Sequence, residues 1–307
     1  MSSVDTLRRF VFERYPFRGQ LVHLGPAWQA MMEHHDYPPQ VRDALGEAVA
    51  AAALLASTLK FSGLLSLQLR GEGPMHLMSV ECTDGLAMRA VARFRDPPDT
   101  RDLRLLSGNG TLTVTVENEH APAPYQGIVP LAGASMAECL REYFESSEQL
   151  PTRLWLHADA VGVSGLLLQR LPLQVKPSTV PESGTGVVTA DEVEDAWLRV
   201  QLVADTVTQA ELHELEDDAL LRRLFAEDDV RMFEGAPAYF RCRCSRERVE
   251  NMLRSLGRAE VDSVIAEFGQ VEVRCEFCSR AYRLDAVDCS RLFAASGSAA
   301  PPDTGVH

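Results

Sequence analysis

Four of the seven cysteines in this 307-residue chain fall in two tight pairs, Cys242-Arg-Cys244 and Cys275-Glu-Phe-Cys278, with thirty residues between them. A Cys-x-x-Cys turn lets two thiolates reach one tetrahedral ion from the same side, and a second pair closes the coordination sphere. The interval is longer than in a short zinc ribbon, but two helical patterns fill it. Ser245 is placed to cap a helix bearing Val249, Met252, Leu253 and Leu256 that stops at Gly257. A second helix bears Val261, Val264, Ile265 and Phe268 and stops at Gly269. Together they are expected to form a two-helix cap, with residues 271–274 and 280–284 making a hairpin around the second pair. Residues 239–293, a unit of 55, have little core, so a metal is a reasonable staple. A structural zinc held by four cysteines has an apparent binding energy of about 10–16 kcal/mol, against about 5–15 kcal/mol of net stability for an ordinary domain. Removing the zinc is therefore expected to unfold the unit.

The same cysteines have a second property. Arg241, Arg243, Arg246, Arg274 and Arg280 crowd them in sequence, which either stabilises thiolate toward oxidants or only balances the charge of the site. A disulfide across the single residue of Cys242-Arg-Cys244 would be strained and readily reduced. A site that loses its metal on oxidation and regains it on reduction needs that chemistry.

Elsewhere the chain excludes more than it offers. The net charge of −14 argues against non-specific binding to nucleic acid or anionic membrane. Arg8, Arg9, Glu13, Arg14 and Arg18 interrupt any secretory pattern at the N-terminus, and the apolar run at 48–59 is too short to span a bilayer. A cytoplasmic location with reduced thiols is expected. There is no phosphate-cradling loop, H-E-x-x-H or dinucleotide fingerprint, and Gly162-Val-Ser164-Gly165 lacks nucleophile-elbow spacing; the chain is not read as an enzyme. His34-His35 has no ligand spacing, Cys82 and Cys139 sit in apolar patterns and are expected to be buried, and Cys289 stands without an evident partner.

The predicted fold class is α+β, in four parts: an N-terminal α+β core domain (1–180), a metastable acidic helical linker (181–238), the four-cysteine zinc unit (239–293) and a disordered tail (294–307). In the core domain, Pro38-Pro39 heads a long helix at 40–60 whose middle, 48–56, is apolar all round and so must be buried. Short strand patterns follow at 64–70, 76–82, 87–94 and 111–116, separated by glycine turns, and 135–147 reads as another helix. Residues 177–186 (PSTVPESGTG) are a linker by composition. Residues 187–234 carry 14 acidic and four basic side chains, a net of −10. Yet Val193, Trp197, Val200, Ala204 and Val207 recur at helical spacing, as do Leu212, Leu215, Leu220, Leu221, Leu224 and Phe225. Such amphipathic helices with self-repelling acids are marginal alone and need a surface to pack on.

At this point the chain resembles the heat-shock protein 33 family of redox-regulated chaperones, also called 33-kilodalton chaperonins. The resemblance runs through 45–60 (LGEAVAAAALLASTLK), 125–131 (YQGIVPL), 143–154 (YFESSEQLPTRL), 165–172 (GLLLQRLP), 240–248 (FRCRCSRER) and 273–282 (VRCEFCSRAY). The block at 165–172 is preceded by Val163-Ser164, where the family commonly has a glycine-rich stretch. The resemblance implies one Zn2+ per reduced chain, held by Cys242, Cys244, Cys275 and Cys278. Oxidation would pair Cys242–Cys244 and Cys275–Cys278 and release the zinc. The zinc unit and linker would then lose structure, and the protein, as a homodimer when oxidised, would hold unfolded or oxidatively damaged clients without ATP. Trp197, Val200, Leu212, Leu215, Leu221, Leu224 and Phe225 are the expected client-binding or masking residues.

Two other functions compete with this one. A zinc-ribbon nucleic-acid binder would use the knuckle arginines, but residues 241–307 balance ten Arg against ten acids and lack a basic stripe. A thiol-disulfide oxidoreductase would use Cys275-Glu-Phe-Cys278, but no βαβ pattern precedes it.

Overall fold

A computed structural model describes residues 5–172 and 188–294; the compositional linker at 177–186 and the polar tail at 296–307 lie outside the described residues. The chain parts into two compact units between Arg241 and Cys242.

The first unit opens with the hairpin β1 (Thr6–Phe12) and β2 (Phe17–Leu24), then helices α1 (Pro26–Met32) and α2 (Pro39–Thr58). Strands β3 (Gly63–Arg70), β4 (Met75–Thr83) and β5 (Ala87–Phe94) form a meander. After a short helix α3 (Leu103–Ser107) come β6 (Thr111–Asn118), β7 (Tyr125–Pro130), α4 (Met136–Tyr143), β8 (Thr152–Ala158) and β9 (Val163–Arg170). Three helices, α5 (Ala190–Ala204), α6 (Gln209–Glu214) and α7 (Asp217–Leu224), and three very short strands, β10 (Val230–Met232), β11 (Ala236–Pro237) and β12 (Tyr239–Phe240), complete it. Two sheets result, ordered β10–β1–β2–β9–β8, with β11 also on β1, and β12–β5–β4–β3–β6–β7.

Helix α2 packs against strands of both sheets. That is why its middle is apolar all round: every residue from Ala48 to Ala56 is buried. The helix at 135–147 starts as expected, with the Ser135 side chain accepting from the Glu138 amide, but changes to a single π turn at Phe144–Glu148 and ends at Gln149 with φ 54°.

The β1–β2–β9 sheet buries both faces. One meets α2. On the other, the antiparallel register brings Phe10, Phe12, Phe17, Leu21, Leu166 and Leu168 into one apolar cluster. Gly19 stands opposite Phe10, and a Cβ there would lie 2.0 Å from Phe10 Cζ, so only glycine lets that ring lie across β2. Helices α5–α7 cover this face with Val193, Trp197, Val200, Leu212, Leu220, Leu221, Leu224 and Phe225. The acids are less idle than their number suggests. Thr189 with Glu192, and Thr208 with Glu211, form capping boxes at the starts of α5 and α6.

The second unit contains α8 (Arg246–Leu256), α9 (Arg258–Phe268), the hairpin β13 (Gln270–Arg274) with β14 (Ala281–Asp285), and α10 (Ala286–Ala294). Ser245 caps α8 by accepting from the Arg248 amide, and Gly257 and Gly269 end the two predicted helices. The core comprises Leu253, Val261, Val271, Leu284, Cys289 and Leu292. Two expectations need correction. A third helix, α10, closes this core and seats Cys289 within it. And Met252, Leu256 and Phe268 point outward, 41, 57 and 67 % exposed, because so small a core has room for only part of each helical stripe.

Candidate metal centre

All four cysteines of the two pairs converge in the second unit, their sulfurs within 4.8 Å of one another. Cys242 and Cys244 sit on the extended segment just before α8; Cys275 and Cys278 sit on the turn joining β13 to β14. That turn is held by the Cys275 amide donating to the Arg280 carbonyl (3.0 Å) and the Ser279 amide donating to the Cys275 carbonyl (2.7 Å), with Ser279 at φ 53°. Cys242 Sγ is 3.6 Å from Cys275 Sγ and Cys244 Sγ is 3.5 Å from Cys278 Sγ. A tetrahedral ion with bonds of about 2.3 Å to sulfur separates its ligands by about 3.8 Å. The spacing fits a four-thiolate metal site, and all seven cysteines are free thiols.

Tyr282, which the sequence reading passed over, completes the site. It pairs with Val273 across the hairpin and its hydroxyl donates to Cys244 Sγ at 3.1 Å. Burial raises the Cys244 pKa, but the Tyr282 hydroxyl and the neighbouring thiols outweigh it and bring the group down to about 7. Burial pushes Cys278 up to about 12, and Cys242 also upward. Of the crowding arginines, Arg280 lies beside Cys244, Cys278 and Tyr282. Arg246 is engaged by Glu250 (3.0 Å) and Asp288 (2.9 Å), and Arg274 by Glu272 (2.7 Å). The Asp288 pair ties α8 to α10, and the Glu272 pair braces the hairpin.

The other candidate residues separate cleanly from this centre. Among the described residues no further group of histidines, cysteines and acids gathers closely enough to hold a metal. His35 stacks on Tyr37 at 5.0 Å between ring centroids. Cys82 and Cys139 are buried, and burial pushes Cys82 up to about 12. Among the described residues no helix is long and apolar enough to cross a membrane.

In the first unit, Trp197, Val200, Leu212, Leu221, Leu224 and Phe225 lie buried against the β1–β2–β9 face, and Leu215 packs at its border. The Trp197 ring is 5.1 Å from Phe17, and Phe225 is 5.1 Å from Phe12. A polar seam runs beside this cluster that no linear pattern announced. His23 Nδ1 lies 3.0 Å from Asp217 Oδ1, Arg8 Nε 3.3 Å from Asp217 Oδ2, and His23 Nε2 2.9 Å from the Leu212 carbonyl oxygen. Burial lowers the His23 pKa, yet the Asp217 carboxylate and the Leu212 carbonyl outweigh it, and the net shift is upward. Both ring nitrogens face acceptors, which suits the imidazolium. Trp155 Nε1 donates to Asp205 at 3.1 Å and Arg153 Nε to Gln201 at 2.7 Å, tying β8 to α5.

With the geometry established, comparison with known proteins is decisive about ancestry. The profile of the family described as Hsp33 protein matches residues 5–285, through both units and all four clustered cysteines. The 33 kDa chaperonin of Methylobacillus flagellatus is 44% identical over 294 residues, covering 95% of this chain and 96% of that protein. That of Ectopseudomonas mendocina is 44% identical over 303 residues, covering 98% and 99%. The crystal structure of the 33 kDa chaperonin of Thermotoga maritima superposes with a TM-score of 0.78 at 21% identity, covering 95% of this chain and 99% of that one, a likeness of fold. From the reach of the family match and its relatives' identity over nearly their whole length, this chain belongs to the Hsp33 family.

Proposed function

We propose that the chain is a redox-regulated, ATP-independent holdase of the cytoplasm, inactive when reduced and metal-bound, and active, as a homodimer, when oxidised. One observation carries the proposal: four thiols that fit a metal, 3.5–3.6 Å apart in pairs, in a unit whose own core is six buried residues. Cys242, Cys244, Cys275 and Cys278 would hold one Zn2+, which when bound supplies a structural crosslink. With so small a core, most of the unit's stability rests on those four sulfurs.

Oxidation acts on the ligands themselves. Cys242 with Cys244, and Cys275 with Cys278, each give up two electrons and form a disulfide; hypochlorous acid is the matching oxidant, reduced to chloride and water. Disulfide sulfur is no longer a thiolate ligand, so the four residues would no longer hold an ion and the unit would lose its crosslink. Helices α5–α7, joined to that unit through residues 225–241, then lose their anchor. Their departure from the β1–β2–β9 face would bare Phe10, Phe12, Phe17, Leu21, Leu166 and Leu168 together with the helices' own apolar stripe, which includes Trp197, Val200, Leu212, Leu215, Leu221, Leu224 and Phe225. Unfolded or oxidatively damaged polypeptides are the partners such a surface suits. Family membership and the relatives' names as chaperonins support this reading.

The test measures zinc release and suppression of a denatured protein's aggregation in parallel, on reduced, hypochlorous-acid-treated and re-reduced samples. The expected result is about one zinc per reduced chain, its release with the onset of holdase activity, and reversal of both on reduction with zinc. Release without a change in activity, or a reduced chain without metal, would overturn the proposal.

A further inference from the structure

The residues that join the acidic helices to the metal unit are also a strand cap on both sheets of the first unit. Strands β10 and β11 lie antiparallel along β1, and β12 lies parallel along β5. The attachment is made by the backbone: the Glu13 amide donates to the Asp229 carbonyl (2.9 Å), Phe233 to Arg9 (2.8 Å), Ala238 to Asp5 (3.0 Å), Tyr239 to Leu86 (3.1 Å) and Arg241 to Met88 (2.9 Å). Side chains add to it at intervals: Val230 and Met232 pack at the border of the α5–α7 cluster, Ala238 and Phe240 on the cluster around α2, and Arg231 pairs with Glu13. Arg231, Phe233, Ala236, Pro237 and Tyr239 are exposed, and only Ala238 is buried.

The cap is also a poor strand. It is broken into pieces of three, two and two residues, and Gly235 and Pro237 stand in the breaks and ends. It therefore registers with only five of the seven residues of β1; Arg9 is held only through its carbonyl, by the Phe233 amide, and Arg8 has no ladder partner on that side among the described residues. A continuous extended segment from another chain could pair along the whole of β1. Uncapped sheet edges accept such segments readily, and they do so through main-chain hydrogen bonds that every polypeptide can offer.

We propose that the β1 and β5 edges are client-binding sites, and that their ligand is an extended stretch of unfolded polypeptide added as a strand, with residues 229–241 as the intramolecular stand-in that a client replaces. The inference rests on the reading that oxidation releases the acidic helices, and it deepens that reading. The apolar face supplies adhesion, and the edge supplies recognition that is independent of sequence.

The experiment follows backbone amide exchange, residue by residue, in the full chain. Samples are reduced and zinc-loaded, oxidised, and oxidised with a permanently unfolded probe, reduced and carboxymethylated lactalbumin. Val11 and Glu13, whose amides face the cap, should exchange slowly when reduced, about a hundredfold or more faster when oxidised, and slowly again with the probe bound. Phe10 and Phe12, whose amides face β2, should stay protected throughout. A synthetic peptide of residues 228–241 should compete with the probe. Methylating its Phe233 amide nitrogen, which faces β1, should weaken competition about tenfold or more, and methylating that of Met232, which faces away, should not. Probe binding that leaves Val11 and Glu13 fast, equal competition by both methylated peptides, or loss of protection at Phe10 and Phe12 would overturn the edge proposal while leaving the redox switch standing. If oxidation leaves residues 230–240 protected, the release reading itself fails.

Discussion

Replacing Trp197 with alanine separates the docking of the acidic helices from the folding of the core beneath them. The side chain is 4 % exposed and packs its ring against Phe17 in the cluster between α5–α7 and the β1–β2–β9 face. Truncating a buried tryptophan typically costs about 3–5 kcal/mol. Alanine is the best helix former, so α5 itself is not weakened and the loss falls on docking. The separate cluster on the α2 side does not include Trp197, so the cost is felt by local opening before global unfolding. At about 1.36 kcal/mol per tenfold, the open state gains by roughly 150- to 5,000-fold. The expected result is holdase activity in reduced, zinc-loaded protein, read by light scattering of an aggregating client, together with faster amide exchange across α5–α7 and unchanged exchange in α2. Leu198→Ala is the control: this neighbour of Trp197 is 57 % exposed, and its truncation should change stability by about 0.5 kcal/mol or less. If Trp197→Ala leaves α5–α7 exchange unchanged and activity still strictly gated by oxidation, the assignment of these helices as the mask is wrong.

Cys244→Ser should abolish tight metal binding and unfold the second unit, seen as loss of zinc stoichiometry and of amide protection in α8 and α9, while α2 keeps its protection. Tyr282→Phe removes the hydroxyl 3.1 Å from Cys244 Sγ and should speed metal loss to a chelator while leaving the fold intact by circular dichroism. The His23 seam carries a pH dependence of definite sign. His23 is raised in the folded chain, so its stabilisation of docking is complete below about 6.5, the ordinary imidazole value, and is lost as pH rises through the raised value. Asp217 and Glu216 on the α7 side favour its charge, Arg8 of β1 shares Asp217, and His213 reaches the adjacent Ser164. Tryptophan fluorescence and α7 exchange between about pH 6 and 9 should show docking weaken on the alkaline side, and His23→Gln should flatten the profile. Cys82, buried and pushed up to about 12, should resist alkylation in native protein until the first unit unfolds.

How much of this was legible in the residues follows the range of the forces involved. The gathering of the four cysteines was, because their spacing is local: each pair is fixed within a single turn of chain. The long Ala-rich helix was too, since a segment apolar on every side has few places to go. The third helix of the metal unit was missed because Ala286–Ala294 spans little more than two turns and its two anchors, Cys289 and Leu292, are a single i, i+3 pair. The same shortage of core explains the false stripe: Met252, Leu256 and Phe268 have the period of a buried face but nothing in so small a unit to bury against. Tyr282 and the His23–Asp217 pair are partners only through strand register and helix docking, across 38 residues in the first case and 194 in the second, and no periodicity encodes them.

The acidic helices show where a sequence argument can be right about energy and silent about place. Fourteen acids against four bases in residues 187–234 should make the segment self-repelling, yet several acids have work in the docked form. Glu192 and Glu211 cap helices, Glu194 meets Arg170, Asp217 meets Arg8 and His23, and Asp228 takes both ends of Arg199 at 2.6 and 2.8 Å. Glu194 is exposed, where such a pair contributes about 0–1 kcal/mol, but the Asp217 and Asp228 carboxylates are 9 and 4 % exposed, so their pairs both orient the helices and help to hold them. Adhesion comes chiefly from the apolar cluster, with the buried Asp217 and Asp228 pairs beside it, and release must cost about what docking these groups gained. A segment assembled this way is stable while its far end is fixed and poorly stable once it is not, because freeing the end restores the repulsion and conformational entropy that docking had offset. Under the proposed redox switch, the trigger therefore would not have to act on the covered face at all: it could sit in another unit of the chain, on four sulfur atoms, and still decide whether that face is covered.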